Sequence, residues 1–137
     1  MDDQLPEMLD VLERFVQAES PSSDIGATRK SADVVAEIGT SLLGSEPEHI
    51  EIEGRTHLRW GSADPRVLLV GHLDTVWPLG TIDRLPFSVT DGIARGPGSF
   101  DMKAGLVQGF FALRSLGSLE GVAFLINSDE ELGSPTS

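Results

Sequence analysis

The segment Arg66-Val67-Leu68-Leu69-Val70-Gly71-His72-Leu73-Asp74 decides the fold class of this chain. Its apolar residues at positions 67–70 form an unbroken run, without the alternation of apolar and polar residues that marks a half-buried strand. Such a run predicts a central strand of a sheet that is covered on both faces. His72 and Asp74 come directly after it, so we expect them beyond the carboxyl end of that strand.

A second apolar run, at positions 122–126, predicts another buried strand. Between the two runs, apolar residues at helical spacing predict a helix from about Met102 to Leu116, with Gly117 as its stop. Gly105 and Gly109 would let this helix pack closely on a sheet. A strand, a crossover helix and a second strand indicate a parallel α/β sheet with a right-handed connection.

The residues before the first run predict two helices and a hairpin. Apolar residues recur at helical spacing over positions 5–16, and the segment Ser20-Pro21-Ser22-Ser23 ends that helix. A second helix is expected from Asp24, its N-cap, to about Gly44. The alternating segments at positions 49–54 and 56–61 predict half-buried strands joined by a turn. We therefore expect an α/β fold with a mostly parallel central sheet and helices on both of its faces.

Composition limits the classes of partner. The 137 residues include 10 basic and 22 acidic side chains, which gives a formal net charge of −12. This balance argues against nucleic acid and anionic membranes, which require clustered Lys and Arg. No apolar run approaches the roughly 20 residues of a membrane span, the N-terminus lacks a signal-peptide pattern, and there is no Cys. A cytoplasmic protein is the expectation.

Three polar clusters adjoin the predicted core elements. They are the residues at 71–74, Asp101 at the start of the crossover helix, and the triplet Asp129-Glu130-Glu131 after the second strand. Polar groups of open α/β sheets gather beyond the carboxyl ends of strands. One imidazole and several carboxylates at one edge suit divalent metals, because crowded carboxylates need either raised pKa values or a cation.

Each cluster alone has a simpler interpretation. Asp101 suits a helix N-cap or first turn, and an acidic triplet at 129–131 suits a solvated loop. Lys103 is expected to be exposed in the first helical turn, and His49 and His57 to be surface residues or satisfied histidines. The sequence contains no P-loop, HExxH, GxSxG or dinucleotide fingerprint, so nucleotide binding and acyl-enzyme chemistry have little support.

Together and in this order, the three clusters resemble a known family. VLLVGHLDTVWPLGT (67–81), ARGPGSFDMKAG (94–105) and NSDEELGS (127–134) are similar to the co-catalytic zinc amidohydrolases. That family includes glutamate carboxypeptidases, succinyl-diaminopimelate desuccinylase, acetylornithine deacetylase and aminoacylase, and the glutamate carboxypeptidase branch looks nearest. The resemblance spans essentially the whole chain. It implies that residues 1–137 are an incomplete N-terminal portion of a zinc-peptidase-like catalytic domain, without the lid or dimerisation domain and the C-terminal part.

The resemblance also implies roles for individual residues. His72 would ligate one zinc ion, Asp101 would bridge two, and Glu131 would ligate the other. Glu130 would be the general base, and Asp74 would orient His72 by accepting its remaining N–H. The peptide bond after Asp101 would be cis. Co²⁺ or Mn²⁺ also suit ligands of these types.

The implied reaction is hydrolysis of an amide bond in a small peptide or N-acyl amino acid, with no nucleic acid or membrane as partner and a homodimer as the intact enzyme. In the family, each zinc ion takes three protein ligands. One ligand of each ion comes from a segment later in the chain. We therefore expect this chain alone to bind zinc weakly and to lack measurable hydrolase activity.

Two alternatives stay open. One is a non-catalytic metal-binding or interaction module derived from the same fold. The other is a different dinuclear hydrolase, such as a phosphoesterase. Phosphate groups usually bind to Lys, Arg or a glycine-rich helix start, and only Lys103 offers such a contact here, so the phosphoesterase is less favoured.

Overall fold

The computed structural model describes residues 2–137, which form a four-stranded sheet, a two-stranded hairpin and three long helices. The elements in chain order are α1 (Leu5–Gln17), α2 (Ile25–Leu43), β1 (Glu48–Ile52), β2 (Arg55–Gly61), β3 (Val67–His72), α3 (Thr81–Arg84), β4 (Ser88–Thr90), β5 (Ile93–Arg95), α4 (Ala104–Leu116) and β6 (Val122–Asn127). A π-helical turn at Ser99–Lys103 precedes α4, and a 3-10 turn at Glu130–Leu132 comes after β6.

The helix ends arise from local sequence signals. The Asp24 side chain accepts a hydrogen bond of 2.9 Å from the backbone N–H of Ala27, which caps the first turn of α2. Gly44 and Gly117 adopt positive φ angles of 71° and 70° and end α2 and α4. The predicted ends of both helices are thereby confirmed.

The sheet has the strand order β1-β2-β6-β3. β3 and β6 are parallel, with Gly71 opposite Ile126 and His72 opposite Asn127, so the predicted strand–helix–strand unit is confirmed. β1 pairs antiparallel with β2, and β2 pairs antiparallel with β6. The α/β class is therefore as expected, but within residues 2–137 the sheet is not mostly parallel. The reason is that the tight β1–β2 hairpin supplies two of the four strands.

The hydrophobic core lies between the three long helices and one face of the sheet. The Phe110 ring of α4 makes edge contacts with Trp60 of β2 and Phe124 of β6, at centroid distances of 5.1 and 5.2 Å. A Cβ atom at Gly39 would approach Trp60 to 2.5 Å, and one at Gly109 would approach Phe124 to 2.9 Å. These glycines allow α2 and α4 to lie against the sheet.

The other face of the sheet differs from the expectation. Leu68 and Val70 are 51% and 56% exposed, so β3 is an edge strand with one open face in this chain rather than a central strand covered on both faces. The helices of residues 2–137 pack on a single face because α1, α2 and α4 also contact one another. An unbroken apolar run predicts burial on both faces, but in residues 2–137 the second face of β3 leaves Leu68 and Val70 exposed.

Among the helices of residues 2–137, none combines the length and apolar character needed to cross a membrane.

Candidate metal centre

The topology brings the three polar clusters to one edge of the sheet. β3 ends at His72 and the neighbouring parallel strand β6 ends at Asn127, so the residues after both strands leave the sheet at the same edge. Asp101 lies in the π-helical turn that enters α4. This is the placement that the carboxyl-edge rule predicts for α/β sheets.

His72, Asp101 and Glu131 form a compact group. Each offers one potential ligand atom, and these three atoms lie within 4.8 Å of one another. His72 Nε2 is 3.1 Å from Asp101 Oδ1. His72 is buried, Asp101 is exposed and Glu131 is half-buried, so the group is accessible from one side. One imidazole and two carboxylates at this spacing fit a divalent cation that accepts nitrogen and oxygen ligands.

Glu130 lies beside this group. Its Oε2 atom is 3.7 Å from His72 Nε2, and its side chain is 52% exposed. Glu131 completes the group of three, while Glu130 faces the same imidazole from the solvent side. The two consecutive glutamates therefore occupy different positions relative to His72.

Asp74 is fully buried and is the centre of a hydrogen-bond network. Its Oδ2 atom accepts hydrogen bonds from the Ser22 hydroxyl at 2.6 Å and from the Glu131 backbone N–H at 3.1 Å. Its Oδ1 atom accepts the Glu130 backbone N–H at 3.1 Å and lies 3.4 Å from His72 Nδ1. Burial would raise the pKa of Asp74, but the hydrogen bonds from His72 and Ser22 outweigh burial and lower it.

The imidazole of His72 is oriented through its Nδ1 atom. This atom lies 3.0 Å from the backbone carbonyl of Asp74, which turns Nε2 towards Asp101. Burial by itself lowers the pKa of His72, but the hydrogen bonds and charge of Asp74, with the contact to Asp101, raise it to about 9. The same negative surroundings that favour a proton on His72 would favour a cation.

The carboxylates of the group also influence one another. Burial raises the pKa of Glu131, and the negative charges of Asp101 and Glu130 raise it further. The sequence predicted that crowded carboxylates at this edge would need raised pKa values or a cation. The raised pKa of Glu131 agrees with that prediction, whereas hydrogen bonds lower the pKa values of Asp74 and Asp129.

The turn that carries Glu130 and Glu131 is supported from both ends. Asp129 is fully buried, and its carboxylate accepts hydrogen bonds from the Thr136 backbone N–H at 2.9 Å and the Thr136 hydroxyl at 2.6 Å. Burial raises the pKa of Asp129, but these hydrogen bonds outweigh it and lower the pKa. From sequence, Asp129 was expected only to support the turn locally, and its contacts with Thr136 agree with that expectation.

His57 belongs to the same support. Its Nδ1 atom accepts the Ser128 backbone N–H at 3.2 Å, and its Nε2 atom lies 2.9 Å from the Thr136 hydroxyl. The expectation of a satisfied histidine is confirmed for His57, which is buried, and His49 is exposed.

The prediction for Lys103 is wrong. It was expected to be exposed, but it is only 2% exposed, and its Nζ atom donates hydrogen bonds to the carbonyls of Phe15 at 2.7 Å and Ala18 at 2.8 Å. Burial lowers the pKa of Lys103 to about 7, against the opposing charges of Glu19 and Asp74. The side chain turns inward because the end of α1 presents backbone carbonyls that lack helical partners. Lys103 therefore lies away from solvent and offers no phosphate contact.

The peptide bond between Asp101 and Met102 is cis, as the family resemblance implied. Met102 then lies against the end of β3, where its sulfur accepts the His72 backbone N–H at 3.3 Å. The turn that carries Asp101 is thereby in direct contact with the strand that carries His72.

An α/β sheet that brings an imidazole and several carboxylates to one edge, in a group that fits a divalent cation, defines a candidate metalloprotein of the α/β class. The family comparison is more specific. Residues 68–137 match the model of Peptidase family M20/M25/M40, and this chain belongs to that family.

Two curated relatives show how much of a complete protein the chain represents. It is 33% identical over 111 residues to a succinyl-diaminopimelate desuccinylase of Anaplasma marginale (strain Florida). This alignment covers 77% of this chain and 29% of that protein. It is 32% identical over 126 residues to carboxypeptidase G2 of Pseudomonas sp. (strain RS-16). This alignment covers 88% of this chain and 27% of that protein. The chain thus spans less than a third of the length of these relatives, which are hydrolases by name.

Solved structures agree on the fold. The M20 family metallo-carboxypeptidase Sso-CP2 from Sulfolobus solfataricus superposes with a TM-score of 0.75 at 20% identity, over 98% of this chain and 32% of that one. Human carnosine dipeptidase 1 superposes with a TM-score of 0.72 at 22% identity, over 98% of this chain and 34% of that one. The resemblance and the α/β fold inferred from the sequence are both confirmed.

Proposed function

We propose that this chain is the N-terminal portion of the catalytic domain of a metal-dependent hydrolase, which cleaves an amide bond in a small peptide or N-acyl amino acid. The observation that carries the proposal is the group of His72, Asp101 and Glu131, whose ligand atoms lie within 4.8 Å of one another at the carboxyl edge of the sheet. The names of the relatives, a desuccinylase and a carboxypeptidase, support the class of reaction.

Zinc is the proposed metal, with Co²⁺ and Mn²⁺ as chemically suitable substitutes. His72 would ligate one ion, Glu131 would ligate a second, and Asp101 would ligate both. The proposal of a second ion is based on the family resemblance. Divalent ions held here would polarise the scissile carbonyl and lower the pKa of a water molecule. Asp74 would fix the orientation of His72 through Nδ1.

Glu130 is the proposed general base. Its carboxylate is half-exposed and lies next to the candidate ligands, so it can reach both substrate and solvent. It would take a proton from the attacking water and deliver it to the departing amine. Water is the nucleophile in this scheme, so no covalent intermediate with the protein forms.

The complete enzyme would need more ligands than these residues supply. We propose that later segments of the full-length protein provide one further ligand to each ion, together with a lid or dimerisation domain that makes a homodimer. The 137-residue chain alone would then bind metal weakly and show no turnover.

Titration with Co²⁺, monitored by its visible d–d absorption, tests the metal centre directly in the 137-residue chain. We expect a weak but saturable signal that Asp101→Ala abolishes. Asp33→Ala, which removes an exposed carboxylate on α2, is the matched control and should leave the titration unchanged. Equal Co²⁺ binding by the Asp101→Ala variant and the parent chain would refute the proposed centre.

A further inference from the structure

The segment at residues 18–22, here named the strap, is the first part of the connection from α1 to α2 and runs alongside the end of β3. Pro21 forms an isolated parallel bridge with Thr75, the Thr75 N–H donates to the Ser20 carbonyl at 2.8 Å, and the Ser22 N–H donates to the Thr75 carbonyl at 3.0 Å. From sequence, this serine- and proline-rich segment indicated only the end of a helix. In the structure it forms an isolated β-bridge with the residues that come after His72.

Ser22 links the strap to one side of the candidate metal centre. Its hydroxyl donates to Asp74 Oδ2 at 2.6 Å, and both side chains are buried. Asp74 in turn contacts His72 and accepts the backbone N–H groups of Glu130 and Glu131. Ser22 therefore holds the Asp74 carboxylate in place, and this carboxylate accepts the backbone N–H groups of Glu130, the proposed base, and Glu131, a candidate ligand.

Lys103 links the other end of the strap to the opposite side of the centre. Its Nζ atom donates to the Ala18 and Phe15 carbonyls, and its backbone N–H donates to the Gly98 carbonyl at 3.0 Å. Two amine protons suffice for the two side-chain hydrogen bonds, so the link does not require a charged amine. Because Lys103 is two residues from Asp101, it ties the turn that carries Asp101 to the end of α1.

The glycine-rich loop before this turn packs closely around the link. Gly98 has a φ of +73°, and a Cβ atom there would lie 2.5 Å from Thr75 Cγ2 and 3.6 Å from Lys103 Cε. Thr75 also pairs with the strap. The strap, the end of β3 and the turn that carries Asp101 thus meet at one packed junction.

We propose that Ser22 and Lys103 are positioning residues of the metal centre, and that the strap holds its two sides at a fixed separation. Ser22 acts through Asp74, and Lys103 acts through the peptide segment after Asp101. This inference rests on the proposed function, since positioning has a purpose only if the group binds metal. The alternative is that these contacts only stabilise the fold.

Ser20 provides the control that separates these two explanations. Its buried hydroxyl donates to the Leu73 carbonyl at 2.6 Å, so Ser20→Ala removes a hydrogen bond of equal length from the same strap without touching Asp74. Ser22→Ala removes the contact with Asp74, and Ser22→Thr retains a hydroxyl. If the Ser22 hydroxyl only stabilises the fold, Ser20→Ala and Ser22→Ala should have equal effects at the metal centre.

Amide hydrogen exchange in the 137-residue chain, measured without added metal, is the first readout. For Ser22→Ala we expect exchange at Glu130 and Glu131 to rise about tenfold relative to the Phe124 amide of β6, because their acceptor loses an anchoring hydrogen bond. Ser20→Ala should leave this ratio unchanged, and Ser22→Thr should restore it. Equal ratios in Ser20→Ala and Ser22→Ala would overturn the inference.

Lys103→Met tests the other side, with Lys30→Met as the control for the loss of one positive charge at an exposed site. We expect exchange of the Ala104 amide, which donates to the Ser99 carbonyl, to rise about tenfold in Lys103→Met and to stay constant in Lys30→Met. Equal exchange of the Ala104 amide in Lys103→Met and Lys30→Met would overturn the role of Lys103, as would a Lys103→Met chain that does not fold, because Lys103 would then stabilise the whole fold. The comparison of Ser20 with Ser22 decides the role of Ser22 separately.

Co²⁺ affinity is the second readout. Ser22→Ala should weaken binding about tenfold, as loss of a group that orients a ligand does, and Ser20→Ala should not. A parent chain that takes up no Co²⁺ would refute the proposed function, whereas the exchange ratios judge positioning independently. Equal Co²⁺ affinities in Ser22→Ala and the parent chain would refute the positioning role.

Discussion

Val70 and His72 are two residues apart on β3, where the alternation of a strand places them on the same face, yet Val70 is 56% exposed and His72 only 5%. Val70 lies where the sheet has no cover. His72 lies where the strap, the turn before α4 and the turn after β6 converge. The difference shows that the candidate metal centre is organised by contacts between loops, and does not depend on cover along the open face of the strand.

The largest effect is expected at Glu130, in the longer protein of which this chain is proposed to be the N-terminal portion. Glu130→Gln should lower turnover of an N-acyl amino acid on the order of a thousandfold, because the proposed base is lost, while bound zinc stays nearly unchanged. Glu131→Gln should lose metal as well as turnover. Steady-state kinetics and metal analysis check both variants, and substantial activity in Glu130→Gln would remove it from the role of base.

Asp74 is expected to contribute most to stability at the buried end of β3, where His72 lies. Asp74→Ala should lower the free energy of unfolding by about 3 kcal/mol, because it leaves two backbone N–H groups without their acceptor and removes the shorter hydrogen bond of the Ser22 hydroxyl, which keeps only the Thr75 carbonyl at 3.1 Å. Urea denaturation of the 137-residue chain measures this change. Asp33→Ala on the exposed face of α2 is the control, and a similar loss in both variants would contradict the network.

Two adjacent residues of β3 sharpen the comparison between its faces. A Cβ atom at Gly71 would approach Leu106 Cδ2 to 2.6 Å and the Met102 methyl to 3.3 Å. Gly71→Ala should therefore lower the free energy of unfolding by about 2 kcal/mol. Val70→Thr on the open face should change it by about 0.5 kcal/mol or less. The same urea titrations distinguish them, and a large loss for Val70→Thr would show that the open face is covered in solution.

The smallest effect concerns pH and the support of the turn after β6. Burial lowers the pKa of His57 below its ordinary value of 6.5. The unfolded chain then binds a proton at this site more readily than the folded chain. The contribution of His57 to the free energy of unfolding should therefore fall as pH drops below about 6.5 towards the lowered pKa, and be constant above about 6.5.

His57→Asn isolates this contribution, because the amide oxygen can still accept the Ser128 N–H while the group no longer titrates. The difference in stability between the two proteins should shrink or reverse on acidification, by about 1 kcal/mol or less. Denaturation curves between pH 5 and pH 8 are the measurement. A constant difference across that range would assign the acid sensitivity to other groups.

Much of the fold could be predicted from local patterns. The N-cap at Asp24, the C-terminal glycines of α2 and α4, and the parallel pair β3–β6 were all predicted. The proximity of His72 and Glu131 was also predictable, because neighbouring parallel strands deliver the residues after their carboxyl ends to one edge of the sheet. The open face of β3 was not predictable, since an apolar run records a preference for burial and does not identify the element that covers it.

The sequence by itself determined the helices, the parallel strand pair and the three clusters that meet at one edge, because caps, turns and periodicity act over a few residues. Only the tertiary structure decided the antiparallel pairing of β2 with β6, the burial of Lys103 and the partners of Ser22. The hydrogen bond between Ser22 and Asp74 joins residues 52 positions apart, and that between Lys103 and Ala18 joins residues 85 positions apart. Pairs so distant acquire their partners only when packing brings the strap against the end of β3.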